Sequence, residues 1–189
     1  MRLIDAIYKR HSVRSYLPDT VDQQTIHALL AAAVQAPTGL DLESWAFVVV
    51  QNRDVLKKLS EHAKECYLQE VHRIRLDQGR RTFEHIENPD FNIFYNASTL
   101  ILICARSEDL LGGASCWLAA ENLMLTACAM GLGTCVIGSS VAGLNSPEAK
   151  AELGIPDLYA VIVPILLGVP TSDGVPAPRK PPKILAWKE

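Results

Sequence analysis

Among its 189 residues the sequence has little aromatic content, 6%, and no metal-ligand or paired-thiol spacing. Its five cysteines, at 66, 104, 116, 128 and 135, form no Cys-x-x-Cys pair. An odd count without short spacings excludes a disulfide framework and suits thiols kept reduced as small hydrophobes. His27, His62, His72 and His85 show neither His-x-x-x-His nor His-Glu-x-x-His spacing, so no metal site is expected. A surplus of positive charge is also missing. The formal net charge is −3, which argues against a general nucleic-acid binder. No long hydrophobic run appears either. The longest, around Ala114 to Met130, is interrupted by Glu121 and Asn122. It falls short of the roughly 20 apolar residues a bilayer span requires. Met1 to Tyr8 carries Arg2 and Asp5 and lacks the apolar core of a secretory signal. These absences leave a cytoplasmic protein with no membrane partner as the expectation.

What is present is a mixture of helical and strand patterns, with no linker or repeat dividing residues 1–189. Leu3, Ile4 and Ile7 predict a short opening helix. Asp22 is a candidate N-cap, with Val21 and Ile26 placed as a hydrophobic staple. Ile26, Leu29, Leu30, Ala33 and Val34 then recur at helical spacing, and Pro37 with Gly39 ends that helix. Trp45 to Val50 is strand-like in its β-branched and aromatic content. Asn52 is placed to cap a helix with Val55, Leu56, Leu59 and Ala63 inward. From Cys66 to Phe91 the chain turns polar and is read as an exposed helix or mobile lid.

Thr99 to Cys104 is a continuous apolar run suited to a strand covered on both faces. Ser115 to Met130 predicts a helix apolar on nearly every side, buried within the domain or against a second subunit, with Gly131 as its C-cap. A short strand follows from Thr134 to Ile137. Ser146-Pro147-Glu148 gives N-cap, first-position proline and first-turn acid for a helix running to Gly154. Ala160 to Leu167 is the last strand. Pro164 inside it removes a ladder donor, so an edge position or a bulge is expected. The proline-rich tail from Pro170 is read as extended, and Trp187 near its end as a docking residue. Strict βαβ alternation is absent, which points to an α+β sandwich of helices around a central sheet.

One local feature stands against the neutral background. Lys9-Arg10-His11-Ser12-Val13-Arg14 concentrates guanidinium, imidazole and hydroxyl donors, and Arg179-Lys180 answers it near the other end. Guanidinium forks suit phosphate oxygens. Then come Ala36-Pro37-Thr38-Gly39 leading to Trp45, Gly131-Leu132-Gly133, and Gly154-Ile155-Pro156. This ordered set, over nearly the whole chain, resembles the nitroreductase family. Gly131-Leu132-Gly133 is not a dinucleotide turn, because it follows a helix and precedes a strand, the reverse of what that turn needs.

The resemblance implies a central, mostly antiparallel sheet flanked by helices, one FMN-binding domain over 1–189, and a domain-interlocked homodimer. It implies that Arg10, Ser12 and His11 hold phosphate or ribityl oxygens, with Arg179 and Lys180 closing on the phosphate. Arg14 would be a fixed positive charge near the pyrimidine edge, stabilising the reduced flavin. Pro37, Thr38 and Gly39 would line the flavin edge, and Ile137, Gly138 and Ser139 would run backbone past its N5 side. Asp41 and Glu43 stand where the family usually has amides, and Ser44 where it usually has proline. A carboxylate cannot donate to a flavin carbonyl as an amide does.

The expected function is hydride transfer from NAD(P)H through flavin N5 to a nitroaromatic, quinone or similar acceptor, by a ping-pong mechanism. The chemistry is the cofactor's, so no catalytic side chain is assigned. Two alternatives remain open at this stage. One is a flavin-binding storage or sensing protein with little turnover. The other is a dehalogenating or flavin-consuming relative.

Overall fold

The computed structural model describes residues 1–74 and 84–189. Helix α1 (Leu3–Lys9) is followed by α2 (Gln23–Ala33), where Asp22 caps as expected: its carboxylate accepts from Thr25 N–H at 2.8 Å. Val21 and Ile26 are both buried beside it. Val34 is not part of the buried stripe. It is the C-cap residue and lies exposed, because the helix has already ended.

Strand β1 (Trp45–Val50) leads into α3 (Arg53–Ile74), capped by the Asn52 side chain, which accepts from Asp54 and Val55 N–H at 3.0 and 3.1 Å. The stretch read as a polar helix or lid is helical up to Ile74, and its Arg75, Arg80 and Arg81 lie outside the described residues. After the short α4 (Glu84–Glu87) come β2 (Thr99–Arg106), α5 (Gly112–Ala129) and β3 (Gly133–Val136). Two short helices, α6 (Val141–Leu144) and α7 (Pro147–Leu153), precede β4 (Tyr159–Gly168). Ser146 caps α7 by accepting from Ala149 N–H at 3.1 Å, and Gly154 ends it at φ 66°.

The four strands form one sheet in the order β1-β2-β4-β3, every neighbouring pair antiparallel. Alternation along the central strands sorts their side chains into two cores. Ile101, Ile103, Ile165 and Leu167 face α2 and α5, while Leu100, Leu102 and Leu166 face α3, α6 and α7. A sheet covered on both sides explains why β2 reads as unbroken hydrophobics.

Pro164 is not on an edge. It lies in β4, an inner strand, opposite Leu102. A bulge relieves the ladder close by: the register shifts where Ile103 pairs with Val163 and Cys104 with Val161. Ile162 and Val163 consequently both pack toward the α2–α5 core.

The helix expected from Ser115 begins one turn earlier, at Gly112, and it is not enclosed on every side in this chain. Cys116, Ala119, Ala120 and Leu123 are fully buried, but Trp117 and Leu118 are about half exposed (51% and 48%). Leu3, Ile4 and Ile7 of α1 also show apolar surface. Residues 175–189 carry no helix or strand, and Trp187 is exposed rather than docked on its own chain. Among the described residues no helix is long and apolar enough to cross a membrane.

Candidate functional site

The basic segment is held against the sheet by its backbone. Arg10 ends α1, with its N–H donating to the carbonyl of Ala6 at 2.8 Å. The chain then runs parallel to β3: Ser12 bridges Thr134, and Val13 N–H donates to the Thr134 carbonyl at 2.9 Å. Gly133 makes this possible, because a Cβ there would lie 2.8 Å from the Val13 side chain. Its neighbour Gly131 has φ +80° and terminates α5. The Gly-Leu-Gly segment thus stops a helix and admits a strand.

Arg10, Ser12 and Arg14 gather around one buried thiol. Burial pushes the Cys135 pKa up, while the nearby Arg14, Ser12 hydroxyl and Arg10 pull it down. Arg10 Nε also lies 3.7 Å from Glu121 Oε1 on α5, and His11 Nδ1 is 3.1 Å from the carbonyl of Lys9. Arg14, Tyr95, Cys135, Ile137, Gly138 and Ser139 line a cavity of about 140 Å³. Its floor is a 3-10 turn over Gly138–Ser140. The first N–H groups of such a turn have no acceptor within it. Nothing would meet a Cβ built on Gly138 within 4 Å, so a flat ring can approach the backbone here.

The tail begins at the same place. Leu17 N–H donates to the Val169 carbonyl at 2.8 Å, Tyr16 bridges Pro170, and Thr171 N–H donates to the Ser15 carbonyl at 3.2 Å. Lys9 Nζ lies 3.8 Å from Asp173 Oδ1, and Gly174 abuts the His11 ring. Residues 169–174 therefore meet the basic segment. Arg179 and Lys180 lie beyond this root, exposed in the extended tail.

Pro37, Thr38, Gly39 and Asp41 are not brought to this cluster within one chain. They sit at the start of α5, where Gly39 N–H donates to Ser115 Oγ at 3.3 Å and packs on Leu111. Arg10 faces Glu121 instead, roughly 9 Å further along that helix at 1.5 Å per residue. Leu40, Asp41 and Glu43 all have positive φ (53°, 52° and 42°), and the Asp41 and Glu43 side chains are exposed.

Sequence reasoning missed Tyr95. Its ring lies 6.0 Å from the Arg14 guanidinium and packs edge-on against Phe91. Tyr95 and Asn96 both have positive φ, 50° and 56°. Asn tolerates that region, but nothing marks the preceding tyrosine for it.

The Nitroreductase family profile matches residues 7–169. This chain belongs to that family. It is 27% identical over 187 residues to an NADPH-dependent oxidoreductase of Staphylococcus haemolyticus, covering 94% of this chain and 69% of the relative. It is 25% identical over 198 residues to an NADH dehydrogenase of Thermus thermophilus, covering 97% and 94%. The fold superposes on a nitroreductase with bound FMN from Bacteroides fragilis with a TM-score of 0.80 and 25% identity, over 100% of this chain and 98% of that one. The antiparallel sheet and flanking helices are those of nitroreductase structures.

Proposed function

We propose that this chain is an FMN-dependent, NAD(P)H-oxidising oxidoreductase whose single domain covers residues 1–189 and works as a homodimer. One observation carries the reading: the basic segment is fixed against β3 through Ser12 and Val13, and its Arg14 lines one cavity with the turn at Ile137–Ser139. The donor set fits FMN. Two guanidinium groups and a hydroxyl suit a phosphate and a ribityl chain, and the turn suits the edge of a flat ring.

Each residue has a defined task. Arg10, His11 and Ser12 bind phosphate or ribityl oxygens, joined by Arg179 and Lys180 from the tail. Arg14 places positive charge beside the ring, favouring its reduced form. Ile137, Gly138 and Ser139 orient the ring through backbone groups. When bound, FMN supplies the redox chemistry, taking hydride at N5 from NAD(P)H and passing it to a nitroaromatic, quinone or similar acceptor in two half-reactions.

A second protomer completes the site. A cavity of about 140 Å³ is smaller than the about 300 Å³ or more that small-molecule sites occupy. Exposed Leu3, Ile4, Ile7, Trp117 and Leu118 offer apolar surface for that contact. The partner's 37–41 segment would form the opposite edge, since within one chain it lies away from Arg10. Five free thiols suit a reducing cytoplasm.

Purified protein should be yellow and release FMN, not FAD, on denaturation. Replacing Arg10 and Arg179 together should strip the cofactor, and full occupancy in that variant would refute the phosphate assignment. A quinone should sustain steady NADH or NADPH oxidation. Exposed carboxylates at Asp41 and Glu43 favour a second reading, a flavin binder with little turnover. Bound FMN that neither nicotinamide reduces would decide for it.

A further inference from the structure

The two arginines of the basic segment are held in different ways. Arg10 Nε lies 3.7 Å from Glu121 Oε1, so its charge is partly balanced by a carboxylate. Arg14 is exposed and forms no ion pair with any described residue. What its guanidinium meets is the Tyr95 ring, 6.0 Å from its centroid. The face of an aromatic ring carries partial negative charge. It therefore attracts a cation without cancelling its charge, as a carboxylate would, and leaves the N–H donors available.

Tyr95 is itself held firmly, in a backbone conformation that bulky residues rarely adopt, with φ 50° followed by 56° at Asn96. Asn92 fixes this turn. Its Oδ1 accepts from Ser60 Oγ and Phe94 N–H, both at 2.8 Å, and its Nδ2 donates to Asn96 Oδ1 at 3.0 Å. Its carbonyl accepts from Tyr95 N–H at 2.9 Å. Ile93 and Phe94 are buried on one side of Tyr95, and Ala97 and Ser98 on the other, where the chain enters β2. The Phe91 ring stands edge-on to Tyr95 at 5.5 Å between centroids. Strained backbone persists where its surroundings over-determine it, and such positions cluster at functional sites. Here the strained residue delivers its ring to the cavity that Arg14 shares with Ile137, Gly138 and Ser139.

We propose that Tyr95 is a positioning residue for Arg14. Its ring fixes where the guanidinium sits in the cavity while leaving the positive charge whole, and so sets how strongly the reduced flavin is favoured. This role rests on the flavin reading above. It adds that the electrostatic effect of Arg14 depends on an aromatic ring at position 95, with the phenol hydroxyl dispensable.

The test is a reduction titration of the full chain, purified with excess FMN, against a reference dye. Tyr95→Gly removes the ring and accepts the positive φ, so the fold should survive it. It should move the two-electron equilibrium about fivefold toward oxidised flavin, a fall of about 20 mV. Tyr95→Leu should do the same, and Tyr95→Phe should stay within about twofold of wild type. Arg14→Gln should move the equilibrium at least as far in the same direction. In that background Tyr95→Gly should add nothing, because the residue through which it acts is gone.

An unchanged potential in Tyr95→Gly and Tyr95→Leu would overturn the role, as would an equal shift with and without Arg14. Loss of FMN from both Tyr95 variants, with Arg14→Gln retaining it, would also overturn it by making Tyr95 a binding residue in its own right. Failure of the flavin reading looks different. Wild-type protein would then be colourless despite excess FMN, and the role of Tyr95 would fall with it.

Discussion

Ile137 N–H donates to the carbonyl of Pro164 across 3.0 Å, and Pro164 has no N–H to return. In an antiparallel pair these two residues would exchange both bonds. The missing bond leaves the Ile137 carbonyl to the turn that follows, where it accepts from Ser140 N–H at 3.0 Å and Ser140 Oγ at 2.7 Å. The β3–β4 ladder therefore stops at Val136, and the chain bends at the point assigned to the flavin ring. A proline in an inner strand is tolerated here because the neighbouring strand has ended.

Ser140→Ala tests this arrangement. Ser140 is fully buried, and its hydroxyl is one of two donors to the Ile137 carbonyl. Losing it should cost about 1 kcal/mol, or roughly 2–4 °C in Tm for a chain of this size, measured by thermal denaturation without cofactor. FMN affinity should fall as well. An unchanged melting temperature would contradict the role given to the turn.

Gly133→Ala should act on the cofactor more directly. The added methyl would lie within 2.9 Å of Val13, whose branched side chain has little freedom to move. Residues 10–14 must then shift away from β3. The expected result is weaker FMN binding by fluorescence titration, with overpacking that destabilises the fold by about 1–3 kcal/mol. Gly138→Ala provides the contrast. No atom lies within 4 Å of its new methyl in the chain alone, so stability should hold while cofactor affinity drops.

The thiols should divide by burial. Cys104 and Cys116 are pushed up to about 11 and about 12 by desolvation, and Cys135 is raised by the same cause. Native protein at neutral pH should react with a disulfide reagent only at the part-exposed Cys66 and Cys128, and slowly at Cys66, whose pKa is also raised by burial. Denatured protein should titrate five thiols. Rapid labelling of Cys135 would show that β3 opens more readily than its packing allows.

Asp22 should make stability pH-dependent. The hydroxyl and N–H of Thr25 hold its carboxylate below the ordinary value of 3.8. A depressed folded-state pKa contributes stability that is present above 3.8 and lost as pH falls through the lower folded value. Asp22→Asn keeps a capping oxygen but cannot titrate, so its unfolding curve should be flatter on the acid side than that of wild type. Parallel curves for the two proteins would count against the cap as a source of acid sensitivity.

Local chemistry made much of this fold legible from residues alone. Asp22, Asn52 and Ser146 cap the helices they precede, because a short side-chain acceptor beside an unpaired N–H is a local event. The unbroken apolar run of β2 fixes a strand covered on both faces, and Gly131 and Gly154 end their helices with the positive φ that few other residues accept. Arg10, Ser12 and Arg14 stood out by composition. The meeting of Arg14 with Gly138 and Ser139 did not, since more than a hundred residues separate the two segments and the pairing of Ser12 with β3 brings them together. The tertiary structure alone decided that Pro164 lies in an inner strand and that Arg14 comes to lie over the Tyr95 ring. Each depends on which strand lies alongside which, and that is set by burying both faces of the sheet at once, not by any short stretch of sequence.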